Sequence, residues 1–165
     1  MKTIFKHTTV PNGSIISNHF ETFDYCDSFE INIKTNESID ALLNKGFTMP
    51  RLVLLLFKIR NSIVRIFGLK TGDGRKNLLD FYPIGKRAIY FSVVDRNENE
   101  IVMQKNDKHL NFRTSLLKNA NKDTSHIFLT TIVKNNNFWG RLYFLPVRPF
   151  HQIIIKKLMN NIDKN

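Results

Sequence analysis

From residue 19 to residue 33 apolar and polar side chains alternate. Phe23, Tyr25, Phe29, Ile31 and Ile33 fall on one side, and Asp24, Cys26, Ser28, Glu30 and Asn32 on the other. A period of two predicts a half-buried strand, with Asp27 as the one charge on its apolar side. Ser38 then offers an N-cap for a short helix through about Lys45, where Gly46 supplies a left-handed stop. A second helix is expected from a cap at Thr48 to Gly68, with Pro50 near its first turn. Along it Leu52, Leu55, Leu56, Ile59, Ile63, Ile66 and Phe67 recur at helical spacing, while Arg51, Lys58 and Arg65 form a stripe on another face.

Residues 71–77 (TGDGRKN) are rich in turn formers, and beyond them the period returns to two. Strands are predicted near residues 78–83, 86–95, 98–106, 109–118 and 126–134, joined by turns at 84–85, 96–97, 107–108 and 119–124. Connections this short force antiparallel neighbours, because parallel pairing needs a crossover of roughly a dozen residues or more. The expectation is one antiparallel meander, with the 23–33 strand joining it at an edge. The chain then closes on its longest helix, whose apolar face is read as Leu142, Leu145, Ile153, Ile154, Leu158 and Ile162. Pro146 and Pro149 predict a kink between Leu145 and Phe150.

Strand, two helices, a run of antiparallel strands and a long terminal helix is the element order of the helix-grip fold. This α+β architecture bends an antiparallel sheet of six to seven strands around a long, kinked C-terminal helix, with the two shorter helices closing one end. A curved sheet and a helix cannot meet everywhere, so a cavity for a small apolar ligand is expected between them.

The 165 residues are 42% apolar and 24% charged, a composition of neither a disordered chain nor a membrane-spanning one. One domain over residues 1–165 is expected, with residues 1–18 as an N-terminal arm. The net charge of +11 is uneven: residues 51–76 carry +6 and residues 141–165 carry +4. Two basic segments raise the prospect of an anionic partner, nucleic acid or an acidic membrane surface, against the plainer reading of a solvated surface. A lone cysteine, Cys26, points to a reducing compartment. Lys6 and His7 interrupt any export signal, and the longest apolar run, residues 52–57, is too short to span a bilayer. No transmembrane segment is expected, and the predicted location is the cytoplasm.

Chemistry is harder to read. No HExxH, cysteine pair, GxSxG or phosphate-binding glycine pattern is present, so no cofactor and no metal are expected. Asp24 and Asp27 lie on opposite faces of a regular strand and cannot act as a carboxylate pair. Asp27, on the apolar side, needs a partner such as Arg141 or Arg113. His109 and Arg113 share the outer face of their strand, where a surface role competes with a place at the cavity mouth. Tyr143 and His151 are eight residues apart on nearly one helical face and are candidates to present polar groups inward.

The segments FDYCDSFEINI, RNSIVRIFGL, DKHLNFRTSLL and GRLYFLPVRPFHQIIIKKLM resemble those of the bacterial domain of unknown function 2867 family, grouped with the START-like, Bet v 1-like superfamily. The resemblance covers about residues 18–162, and its last two motifs are the most specific. Asn111 stands where the family's D-K-H-L-D-F-R segment has an acid. The resemblance implies the helix-grip fold and no defined activity. The function expected is binding of a small hydrophobic or amphipathic molecule, with Asp27, Arg113, Arg141, Tyr143, Phe150, His151 and Ile154 as candidate contacts. The alternatives are a cyclase- or hydrolase-like enzyme using Tyr143, His151 and Asp27 in the same cavity, or a basic module for acidic lipid or nucleic acid.

Overall fold

The computed structural model describes residues 3–47, 78–106, 108–121 and 124–164. The expected helix from Thr48 to Gly68, its Arg51, Lys58 and Arg65 stripe and the 71–77 loop lie outside the described residues. The elements run β1 (Phe5–His7), a 3-10 turn (Ile15–His19), β2 (Tyr25–Ile33), α1 (Ile39–Gly46), β3 (Arg87–Ala88), β4 (Phe91–Arg96), β5 (Glu100–Asn106), β6 (Leu110–Ala120), β7 (Ser125–Asn135) and α2 (Phe138–Ile162). Among the described residues the strands form one curved sheet in the order β1-β2-β7-β6-β5-β4-β3, every neighbour antiparallel. With α2 packed on one face, this is the helix-grip arrangement that the element order predicts.

The meander from β3 to β7 has the expected topology, with four differences. Residues 78–83 are not a strand. Their backbone groups are engaged by side chains of α1 instead: Asn44 donates to the Leu79 carbonyl (2.9 Å) and Asp40 accepts from the Tyr82 N–H (2.9 Å). The 86–95 strand is split by a tight turn at Ile89, a buried residue held at φ 57°. The 23–33 strand does meet the meander's end, through β7, but β1 covers its other side, so β1 is the true edge. The N-terminal arm therefore carries two elements of its own. Finally, Gly46 is the last helical residue of α1 and is not left-handed. Its lack of a side chain serves packing, since a β-carbon there would stand 3.0 Å from Ile162 Cγ1.

The main core lies between one face of the sheet and the two helices. Phe29, Ile31 and Ile33 of β2 meet Leu42 and Leu43 of α1 and Ile155, Leu158, Met159 and Ile162 of α2. The opposite sheet face is closed by the arm: Ile16 packs on Val102 and Ile132, and the buried Glu100 carboxylate accepts from Ser14 Oγ (2.6 Å) and the Ile15 N–H (2.8 Å). Helix α2 continues through Pro146 and Pro149. Those prolines leave the carbonyls of Leu142 and Leu145 without helix donors, and both residues are on the solvent side, where water can bond them. The apolar face expected for this helix is corrected in the same way: Leu142, Leu145 and Ile153 are exposed, while Tyr143, Ile155 and Met159 are buried. The helix is apolar on both sides in its first half, so hydrophobic identity alone could not select the buried one. Among the described residues no helix is long and apolar enough to cross a membrane.

Candidate functional site

Register decides which polar groups face α2. Tyr25 and Asp27 share the side of β2 that carries Phe29, and they lie opposite Val133 and Thr131 of β7. Phe112 and Thr114 of β6 continue the same face. The alternation read from the sequence thus holds, and it buries Asp27 completely in a wall that is otherwise largely apolar. From above, α2 lowers His151 and Gln152 onto this spot.

A short polar chain results. Gln152 Nε2 donates to Tyr25 Oη (3.2 Å), and Tyr25 Oη donates to Asp27 Oδ2 (2.5 Å). The other carboxylate oxygen, Oδ1, lies 3.5 Å from His151 Nε2. Neither of those two atoms has a hydrogen-bond partner, and the hydroxyl of neighbouring Thr131 has none either. Burial, and then the bond to Asp27, push the Tyr25 hydroxyl up to about 12. Tyr25 is therefore a neutral donor at ordinary pH. Aromatic rings surround the polar spot: His151 meets Phe112 edge-on (6.0 Å), Phe112 stacks on Phe91 (5.6 Å), and Tyr25 packs edge-on against Phe144 (4.9 Å). An unpaired carboxylate oxygen and an imidazole nitrogen 3.5 Å apart, with the unpaired hydroxyl of Thr131 on the paired strand, are unsatisfied polar groups in an otherwise largely apolar wall.

The sequence candidates divide. Asp27 and His151 come together, and Ile154, one turn further along α2, packs against the main core. Phe150 is half-buried. Tyr143 is buried in a separate cluster with Leu110 and Val133, flanked by Tyr25 and Phe112. The two arginines expected to neutralise Asp27 do not reach it. Arg141 is exposed and pairs with Asp24 at 3.6 Å. Arg113 projects from the opposite sheet face, where its guanidinium lies over Phe20 (4.9 Å) and donates to Asn106 Oδ1 (2.6 Å). Strand parity had already placed Arg113 outside; the partner choice failed because β6 and β2 present those side chains to opposite faces. Tyr25 and Gln152 were missed, although Tyr25 shares the strand face of Asp27 by its spacing of two. Thr131 becomes visible only through the pairing of β2 with β7.

Cys26 lies on the other face of β2, where burial, with the charge of Asp27 added, pushes its thiol up to about 11. A shallow depression of about 350 Å³ near the far sheet edge is lined by Arg87, Tyr90, Ser92, Gln104, Lys105 and Asn106. It holds none of the candidate residues.

A family model described as a protein of unknown function (DUF2867) matches residues 19–158. Among solved structures, the chain is similar to CalU16 from Micromonospora echinospora, at 11% identity over 100% of this chain and 86% of that one, with a TM-score of 0.37. It is also similar to Ara h 8.0201, at 12% identity over 85% of this chain and 99% of that one, with a TM-score of 0.34. No curated protein matches the chain.

Proposed function

The chain belongs to the DUF2867 family, and on that premise we propose that it binds a small amphipathic molecule between the sheet and α2. The polar end of the ligand rests on Asp27 and His151. The family description assigns no activity, so the reading rests on one observation: the fully buried Asp27 carboxylate keeps an oxygen without a hydrogen-bond partner. A buried polar atom left unpaired costs about 1–3 kcal/mol, more when charged. A ligand hydroxyl or amine that donates to Oδ1 removes that cost, which a purely apolar molecule cannot do. Phe112, Phe91 and Ile154 supply the apolar bed.

The test is direct. Full-length protein is titrated with the neutral fluorophore N-phenyl-1-naphthylamine, which carries one N–H donor on an apolar body, and native mass spectrometry of freshly purified protein looks for a co-purifying small molecule. Fluorescence enhancement that Asp27→Asn weakens by about tenfold, the value of roughly one charged hydrogen bond, supports the reading. No enhancement and no bound mass remove it.

A second reading draws on the same contact. A carboxylate beside an imidazole is the usual arrangement of a general base, so a cyclase- or hydrolase-like reaction at His151 remains the competitor. Recovery of the bound molecule unchanged after incubation favours binding, and its conversion favours catalysis.

A further inference from the structure

We propose that the outward face of α2 is a docking surface for an anionic lipid bilayer. The buried side of this helix is centred on Tyr143, Ile155, Leu158 and Ile162. Its opposite side is apolar as well: Phe138 is 70% exposed, Trp139 54%, Leu142 41%, Leu145 66% and Ile153 51%. At about 100° per residue these five side chains occupy roughly 120° of arc, along some 22 Å of helix. The exposed Pro146 and Pro149 lie within the same stripe. Scattered exposed apolar residues are normal, but a contiguous helical stripe is not.

Charge selects the occupant. Exposed Arg141 and Arg148 border the stripe on one side, and exposed Lys156 stands at its C-terminal end. The helix contains no Asp or Glu. Arg141 touches Asp24 at 3.6 Å yet keeps 71% of its side chain exposed, and Arg148 lies over the Tyr25 ring (4.9 Å). A second copy docked through the same face would set these cations against one another. Nucleic acid would engage the cations and leave the leucines and aromatic rings in water. An anionic bilayer takes both, with the apolar stripe at the acyl boundary and the cations among the phosphates. The carbonyls of Leu142 and Leu145, freed by the two prolines, fit that depth, because the headgroup zone still holds water while the hydrocarbon core does not.

Trp139 is the chain's only tryptophan, so its emission reports on the stripe itself. Full-length protein is mixed with vesicles of phosphatidylcholine containing about one third phosphatidylserine, a surface anionic enough to attract basic side chains. The expected result is a blue shift of Trp139 emission and co-sedimentation with the vesicles. Binding falls at least tenfold on pure phosphatidylcholine, and it weakens at about 0.5 M salt, where the screening length is only a few ångströms. The double variant Arg141→Gln/Arg148→Gln loses about thirtyfold in affinity. Leu145→Ser/Ile153→Ser loses at least about tenfold through its apolar contribution. All four positions are solvent-facing, and wild-type emission decides the matter even where a variant folds poorly. Four outcomes overturn the proposal: no emission shift or sedimentation at low salt; Trp139 inaccessible to acrylamide in the free protein, which would mean the face is already covered; vesicle binding insensitive to the serine substitutions but transferable to duplex DNA; or a dimer in sedimentation equilibrium that Leu145→Ser dissociates.

Discussion

Gly140, in the first turn of α2, lies against the backbone carbonyl of His109 so closely that a β-carbon on the glycine would overlap that oxygen. The same junction holds the helix cap, where Asn137 Oδ1 accepts from the Gly140 N–H (3.1 Å) and the His109 carbonyl accepts from the Asn136 N–H (2.9 Å). The obstruction is backbone, which cannot swing aside as a flexible side chain can. Gly140→Ala is expected to lose about 1–3 kcal/mol of stability through overpacking, outweighing the up to about 1 kcal/mol that alanine gains in helix propensity. Urea unfolding of the two proteins measures the difference, and equal midpoints would refute the close fit.

That junction also explains what was legible in the sequence. His109 of DKHLNFR and Gly140 of GRLYF, the two segments that best mark the family resemblance, meet where the start of α2 docks on the start of β6. The contact demands a particular residue type at Gly140, where only a glycine leaves room for the His109 carbonyl. Strand parity was equally readable: it put Asp27 on the apolar side and Arg113 on the other. Nothing local, however, said that β2 pairs with β7 in a register that sets Asp27 opposite Thr131. The buried side of α2 was also hidden, because Leu142, Leu145 and Ile153 are as apolar as the residues that pack.

Another unforeseen feature is the knot around Asp40, which sits in the first turn of α1. Its carboxylate accepts from Nη1 and Nη2 of Arg96 (3.0 and 3.1 Å) and from the Tyr82 N–H, while Arg96 also donates to the Tyr82 carbonyl (2.6 Å) and stacks on Phe81. One side chain thus ties α1, β4 and residues 78–83 together. Removing a partner leaves a buried charge uncompensated, so Arg96→Ala is expected to cost about 3–5 kcal/mol. Asp40→Asn, which keeps an acceptor for Tyr82, should cost less. A thermal melt in which Asp40→Asn is the worse of the two would contradict this ranking.

Glu30 joins the arm to the sheet through its carboxylate. Its two oxygens meet His7 of β1 and His126 of β7, each at 2.8 Å. Partial burial alone would raise this carboxyl, but the hydrogen bonds from His126 and His7 hold it below its usual value. A lowered carboxyl stabilises the fold above its unfolded pKa, near 4.3, and that contribution is lost as the pH falls through the lower folded value. Glu30→Gln should therefore be less stable than wild type at pH 6, by no more than about 1 kcal/mol for so accessible a pair. The two should converge on acidification. A gap that widens toward acid would reverse the assignment.

Whether Asp27 is kept for structure or for a ligand can be decided by making it neutral. In Asp27→Asn the amide oxygen still accepts from Tyr25, and the new NH2 faces His151 Nε2 in place of a charge with no donor on that side. If the carboxylate serves folding as half of an ion pair with His151, the change weakens the protein, because breaking a buried pair is costly. If it serves a ligand, its burial is a standing cost to the empty protein, and the variant gains about 1–2 kcal/mol. We expect the gain, since 3.5 Å to an imidazole nitrogen without a hydrogen bond is poor repayment for full burial. Tyr25 supplies an independent check. A hydroxyl raised to about 12 contributes stability that is fully present below its unfolded pKa near 10 and is lost as the pH climbs through the folded value. Asp27→Asn keeps an acceptor for the hydroxyl and leaves the burial but withdraws the charge, so Tyr25 should ionise at lower pH than in wild type while staying above 10. Phenolate absorbance, with Tyr25→Phe to assign the signal, follows that shift. A higher melting temperature and an earlier Tyr25 titration, together with lost affinity for N-phenyl-1-naphthylamine, would mark Asp27 as a binding group; a lower melting temperature with affinity intact would make it a structural one.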